Sequence, residues 1–245
     1  MKNIWLISDV HGNHTVIYNF YKKYKNKLSE NYNENLLIIL GDVGANYYLN
    51  KRDDFFKSEI SKYPLTYFCI RGNHEQRPSI LMDKYPSDWH MEIFANNKVY
   101  VEDRFPKILY ALDQGGDYEI GGQSILVVPG AYSVDKWYRI FNGWSYFPEE
   151  QLSKKEQKNL FNNLKPYYNC IFSHTCPDSW TSEIKDLFLP QVNQSLVDRS
   201  TEKFLDKIYF KTAYDYWFFG HYHDNRELSD LHARMVYHEA IPFIF

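Results

Sequence analysis

Short runs of consecutive apolar residues recur along the chain, and several stop abruptly at Gly, Asp, Ser or His. Ile4-Trp5-Leu6-Ile7, Leu36 to Leu40 and Leu65 to Ile70 have the unbroken apolar character of parallel strands buried on both faces. Segments with helical spacing lie between them. Asn13 is placed to cap a helix in which Ile17, Phe20, Tyr21, Tyr24 and Leu28 share one face. A second helix runs through Phe55, Phe56 and Ile60. The order β-α-β-α-β predicts right-handed crossovers and a mostly parallel sheet.

From Lys98 to Val128 the period shortens. Val99 to Val101, Ile108 to Tyr110, Tyr118 to Ile120 and Ser124 to Val128 read as strands punctuated by Gly115-Gly116 and Gly121-Gly122, as in hairpins. Pro148 suits the first turn of a helix, with Glu149 and Glu150 favouring its dipole and Leu152, Leu160, Phe161 and Leu164 facing inward. A strand at Cys170 to Phe172, a helix over Thr201 to Phe210 and a strand at Tyr216 to Phe219 follow. Ala233 to Val236 and Ile241 to Phe245 read as closing strands. No repeat, low-complexity run or Pro/Gly/Ser linker interrupts the pattern, so one domain over 1–245 is expected.

Composition narrows the class. At 245 residues, 44% hydrophobic and 24% charged, the chain is neither disordered nor built on one small core. No apolar run approaches the ~20 residues of a membrane span, and the first run is too short for a signal-peptide core. Three scattered cysteines (Cys69, Cys170, Cys176) form no disulfide framework, and packing is their expected role. A cytoplasmic setting is expected. The formal charge of −3 gives no general pull toward nucleic acid or anionic lipid.

The chemistry gathers in five polar clusters, each directly after an apolar run: Asp9-Val10-His11-Gly12-Asn13, Gly41-Asp42-Val43-Gly44, Gly72-Asn73-His74-Glu75, Ser173-His174-Thr175 and Gly220-His221-Tyr222-His223. The first three recur at about one β-α-β repeat of ~30 residues, which brings such loops out at one carboxyl edge of a parallel sheet. Mixed imidazole, carboxylate and amide sets suit divalent first-row transition metals, and a central carboxylate can bridge two of them. Singly, each cluster has a plainer reading: Asp9 and Asn13 as helix caps, Gly41-Asp42 and Gly72-Asn73 as turns, His174 as a satisfied strand-end histidine. Five together do not. His14, His90, His232 and His238 are expected to play surface or core roles.

The ordered set DxHG, GDxG, GNHE, SH and GHxH resembles the calcineurin-like metallophosphoesterases, in particular a bacterial and phage branch, and spans over 210 residues. The resemblance implies a four-layer αββα sandwich of two mixed sheets flanked by helices. It also implies a two-metal site in which Asp9, His11 and His223 hold one ion, Asn73, His174 and His221 the other, and Asp42 bridges both. His74 matches the histidine that assists at the phosphoryl or leaving group. The implied reaction is hydrolysis of phosphate mono- or diesters by in-line attack of a metal-bridging hydroxide. Manganese is the expected metal, with iron, zinc, nickel or cobalt as alternatives. Gly130 to Arg139 resembles a segment beside the site in that branch, making Arg77, Lys136 and Arg139 candidate phosphate contacts. One departure stands out. Protein serine/threonine phosphatases read GDxxDRG and carry an acid supporting the GNHE histidine where this chain has Ala45.

The expected partner is a phosphorylated small molecule, nucleotide or phosphopeptide. Absence of a basic stripe argues against long nucleic acid, and no membrane partner is expected. A nuclease or a cyclic- or dinucleotide phosphodiesterase is the alternative on the same ligands, and a non-catalytic metal-binding scaffold the other class. The aromatic run Trp137, Tyr138, Phe141, Trp144, Tyr146 and Phe147 cannot all face inward, so part of it is a candidate stacking surface at the pocket mouth. Oligomeric state is open.

Overall fold

The structure is a computed structural model that describes residues 2–243. Asn3–Ile7 (β1) is followed by a helix at His14–Tyr24 (α1), and Asn35–Ile39 (β2) by a helix at Lys51–Ile60 (α2). Thr66–Cys69 (β3), Pro78–Lys84 (α3), Trp89–Phe94 (β4), Asn97–Glu102 (β5) and Ile108–Ala111 (β6) complete the first half. The second half contains Gly116–Ile120 (β7), Gln123–Val128 (β8), Lys136–Phe141 (α4), Lys154–Asn162 (α5), Tyr167–Ser173 (β9) and Ser200–Lys211 (α6). It closes with Ala213–Phe219 (β10), Arg226–Leu228 (β11), Ala233–Met235 (β12) and Ile241–Pro242 (β13).

Two mixed sheets result, in the orders β13-β1-β2-β3-β6-β5-β4 and β11-β12-β10-β9-β8-β7. The side-chain period of two divides each central strand between two cores. Trp5, Ile7, Leu37 and Ile39 pack with Ile17 and Phe20 of α1 and Phe56 and Ile60 of α2. Their neighbours Ile4, Leu6, Leu36 and Ile38 face the other sheet, meeting Ile125, Val127, Cys170 and Phe172. On the far side Leu126, Ile171, Trp217 and Phe219 pack with Phe204, Leu205 and Ile208 of α6. Helix, sheet, sheet, helix is the expected αββα sandwich. Burial on both faces is why the strands carry no polar alternation.

Several local expectations need correction. The helix expected from Pro148 starts at Lys154, because Ser153 and Glu156 form a reciprocal capping box. Glu150 is instead buried, accepting the backbone N–H of Ser133. The first helix ends at Tyr24, and Leu28 packs on the core only after a short 3₁₀ turn. Gly121-Gly122 turns the β7–β8 hairpin, but Gly115-Gly116 lies where the chain leaves the first sheet for the second. α3 and β4 went unforeseen; α3 is seven residues long and β4 an edge strand in which only Trp89 is buried. The final strand is described only at Ile241–Pro242, and Ile244 and Phe245 lie outside the described residues. All three cysteines are buried, as packing roles require. Among the described residues no helix is long and apolar enough to cross a membrane.

Candidate metal centre

The five clusters follow β1, β2, β3, β9 and β10, whose pairing within each sheet is parallel, so all leave at strand carboxyl ends. To turn side chains back across this edge the backbone enters the left-handed region at Asp9, His11, Asp42, His221 and His223 (φ between 49° and 72°). Such conformations cost on the order of 1–3 kcal/mol each and cluster where a site demands them. The loops also approach closely. A Cβ at Gly72 would overlap the backbone N and Oδ1 of Asp42, and one at Gly220 would overlap Ser8 Oγ and Asp9 Oδ2. Glycine is needed at both positions for space.

The side chains converge from positions up to 214 residues apart in sequence. Ligand atoms of Asp9, His11 and His223 lie within 4.8 Å of one another, as do those of Asp9, Asp42 and His174, and of His11, Asp42 and His74. His11 Nε2 is 3.2 Å from His223 Nε2, and Asp42 Oδ2 lies 3.7 Å from His11 Nε2 and 3.5 Å from His174 Nε2. Asn73 Oδ1 is 3.0 Å from His174 Nε2, and the His221 ring packs edge-on to the His174 ring. All seven sequence-assigned ligands therefore share one place.

Neighbours fix their orientation. His174 Nδ1–H donates to the Leu40 carbonyl, leaving Nε2 to face the site, the arrangement typical of a metal-binding histidine. The Asn73 amide N–H donates to Ser133 Oγ, which turns its oxygen toward His174. Asp9 Oδ2 accepts the His221 N–H, and Asp42 Oδ1 accepts the His74 N–H, leaving the other oxygen of each inward. Glu75 accepts the N–H groups of Gly44 and Gly72, tying the second loop to the third; burial beside Asp42 pushes its carboxyl up to about 8.

The residues fit a pair of divalent cations. Asp9 Oδ1 is buried with no hydrogen-bond partner among the described residues, although it faces His223 Nε2 at 3.5 Å. Burial opposes ionisation of Asp42, yet His174, His74 and His11 hold it well below the usual carboxylate range. Burial likewise opposes a charged His174, but Asp42 and Asp9 outweigh it and hold the ring up to about 9; burial and His174 push His221 down to about 3. Two buried carboxylates thus hold a proton where a cation would sit. Because His174 must lose that proton to coordinate, metal binding below pH 9 should release about one proton per chain, and affinity should fall as pH falls. Calorimetric titration at about pH 7.5 in buffers of differing ionisation enthalpy measures this, and zero release would mean that His174 is already neutral in the metal-free protein.

His74 stacks on Tyr47, and its Nε2 lies 3.9 Å from Asp135 Oδ1, an acid from the loop before α4. The candidate phosphate contacts lie elsewhere. Arg77 is held by the Glu156 carboxylate and the carbonyls of Glu149 and Gln151. Lys136 sits over the rings of Tyr132, Trp137 and Tyr146. Arg139 is fully buried, donating to Ser133 Oγ, lying over Tyr47 and facing Asp135 Oδ1 at 3.9 Å, so it reaches the site through Asn73, His74 and Asp135. A cavity of about 300 Å³ opens beside Asp42, Asn73, His74, His221 and His223, and none of these three cations lines it. Neither do the aromatics of α4; Trp137, Tyr138 and Phe141 are exposed and Phe147 is buried. Tyr47, Asp135, Tyr237 and His238 were missed by sequence reasoning. His238 Nε2–H donates to the Asp9 carbonyl, and Tyr237 stacks on both His223 and His238. Only Asp135 falls within a recognised segment, Gly130 to Arg139, where its charged neighbours Lys136 and Arg139 drew the assignment instead.

Solved structures with a similar course include the phosphopantetheinyl hydrolase of Mycobacterium tuberculosis, 11% identical over 96% of this chain and 88% of that one, with a TM-score of 0.45. TT1561 of Thermus thermophilus is 13% identical over 96% and 88% (TM-score 0.48), and AQ665 of Aquifex aeolicus 16% identical over 98% and 95% (TM-score 0.42). No curated protein matches the chain. The family model described as calcineurin-like phosphoesterase matches residues 2–225, a span that holds all five clusters, and the chain belongs to that family of metal-dependent phosphoesterases.

Proposed function

We propose that the protein hydrolyses phosphate mono- or diesters at a two-ion centre, one ion held by Asp9, His11 and His223 and the other by Asn73, His174 and His221, with Asp42 between them. The position of Asp42 carries this reading: one buried carboxylate oxygen faces imidazoles from both groups, at 3.7 and 3.5 Å. When bound, the ions would acidify water and neutralise charge on the phosphoryl oxygens. The chain's own residues do the rest. Asp42 orients the His74 backbone, and His74 lines the cavity beside the ligands, placed to serve the departing oxygen. Asp135 faces the His74 ring, an acid supplied from another loop than the one that ends in Ala45.

Protein stripped with a chelator should fail to hydrolyse 4-nitrophenyl phosphate or its bis-ester, and manganese should restore turnover as two ions bind per chain. Other dications, iron, zinc, nickel and cobalt, belong in the same titration. Two bound ions without hydrolysis of either ester would favour a metal-binding scaffold. Binding of one ion at saturation would end the two-ion reading.

A further inference from the structure

The cavity extends away from the ligands into a wall that the phosphoryl group has no use for. Leu187, Phe188, Val192 and Val197 line it, from a 3₁₀ segment at Asp178–Leu187 and the loop after it, together with the Tyr222 ring beside Phe188. A cavity of about 300 Å³ that is apolar at one end, with a few fixed polar groups, is the usual form of a small-molecule site. Its polar groups are unequal. Arg199 lines the wall, but its guanidinium is paired with Asp178, bonded to Gln194 and laid over Phe188, so it offers no free cation for a second phosphate. Glu202 also lines the cavity, 4% exposed; one oxygen accepts from Thr175 Oγ1, while Oε2 is buried with no hydrogen-bond partner among the described residues. That oxygen has almost no accessible surface and burial pushes the carboxyl up to about 7, so Glu202 closes the wall rather than binding a donor from the cavity. Thr175 also meets the Tyr222 hydroxyl.

Resting on the phosphoesterase reading above, we propose that this cleft receives the alcohol half of the ester, and that the substrate is the phosphate ester of an uncharged, flat, apolar alcohol. His74 shares the cavity with the metal ligands, so the departing oxygen leaves on the cleft side. The flat group packs against Phe188, Tyr222 and the leucine and valine side chains. Hydrolysis then follows ordinary stoichiometry: water adds to phosphorus, the ester P–O bond breaks, and the alcohol leaves with a proton.

Ethyl and benzyl phosphate share a primary leaving oxygen of similar basicity and differ mainly in what the cleft sees. With the metal-loaded enzyme, kcat/KM should rise about tenfold or more from ethyl to benzyl, the scale of one well-matched apolar group. Val192→Trp, which fills the cleft from its partly exposed rim, should cancel the benzyl step; metal content and melting temperature report its folding. Equal rates for ethyl and benzyl phosphate, or a benzyl preference that survives Val192→Trp, would overturn the cleft assignment and leave the phosphoesterase standing. If the loaded protein cleaves neither these esters nor 4-nitrophenyl phosphate, the proposed function itself fails and takes the cleft with it.

Discussion

Replacing Asp42 with Asn should abolish metal-dependent hydrolysis, with turnover of 4-nitrophenyl phosphate falling by at least ~10²-fold, beyond the ~10–100-fold typical of changing a group that merely supports a ligand. The asparagine oxygen can still accept the His74 N–H, so the third loop stays in place. What changes is the other side. A neutral amide replaces the negative oxygen that faces His11 and His174, and His174 loses the stronger of the two carboxylates that hold it charged. The buried charge that would balance two dications is halved, leaving Asp9 alone. Bound metal measured on the purified variant should drop from two ions per chain to one or none, with the melting transition of the metal-free protein showing that the fold survives. Two ions retained with near-normal turnover would refute the bridging role.

The architecture was legible because the central strands of the first sheet are buried on both faces. Ile4 and Leu6 reach the second sheet while Trp5 and Ile7 reach the helices, so the four apolar residues in a row already imply layers on both sides. The five polar clusters were legible for a related reason: a polar residue at the end of such a run has no core to enter. What failed to show were elements whose residues carry little periodicity. The edge strand β4 buries one residue in six, and α5 starts after Ser153 because a local capping box outcompetes Pro148, a choice made by side-chain hydrogen bonds that apolar spacing does not record.

The surroundings of the site were the least legible part. Asp135 lies 61 residues beyond His74 in sequence, in a loop whose course is set by buried contacts such as Ser133 with Asn73 and with Glu150. Arg139 illustrates the hazard in the other direction. A guanidinium near a phosphate site invites assignment as an anion contact, yet here it is enclosed under Tyr47 and supports Ser133. Charge type is readable from sequence, whereas exposure depends on tertiary packing.

His74→Asn should separate leaving-group chemistry from metal binding. The backbone N–H that Asp42 accepts is retained by any residue at 74 other than proline, and the seven assigned ligands are untouched, so two ions should still bind. The lost imidazole should then matter in proportion to how badly the departing oxygen needs a proton. Alkyl phosphates, which leave as strongly basic alkoxides, should slow by about 10²–10⁴-fold, the usual contribution of a positioned acid or base. 4-Nitrophenyl phosphate, whose phenolate leaves unaided, should slow far less. A parallel loss on both esters would instead mean that His74 acts on the phosphoryl oxygens, where stabilisation does not depend on the leaving group. Asp135→Asn extends the comparison: an acid that sustains the His74 proton should reproduce the same leaving-group dependence in weaker form. Loss of both ions in His74→Asn would make His74 a ligand rather than an acid, with the His11–Asp42–His74 grouping itself part of the metal centre.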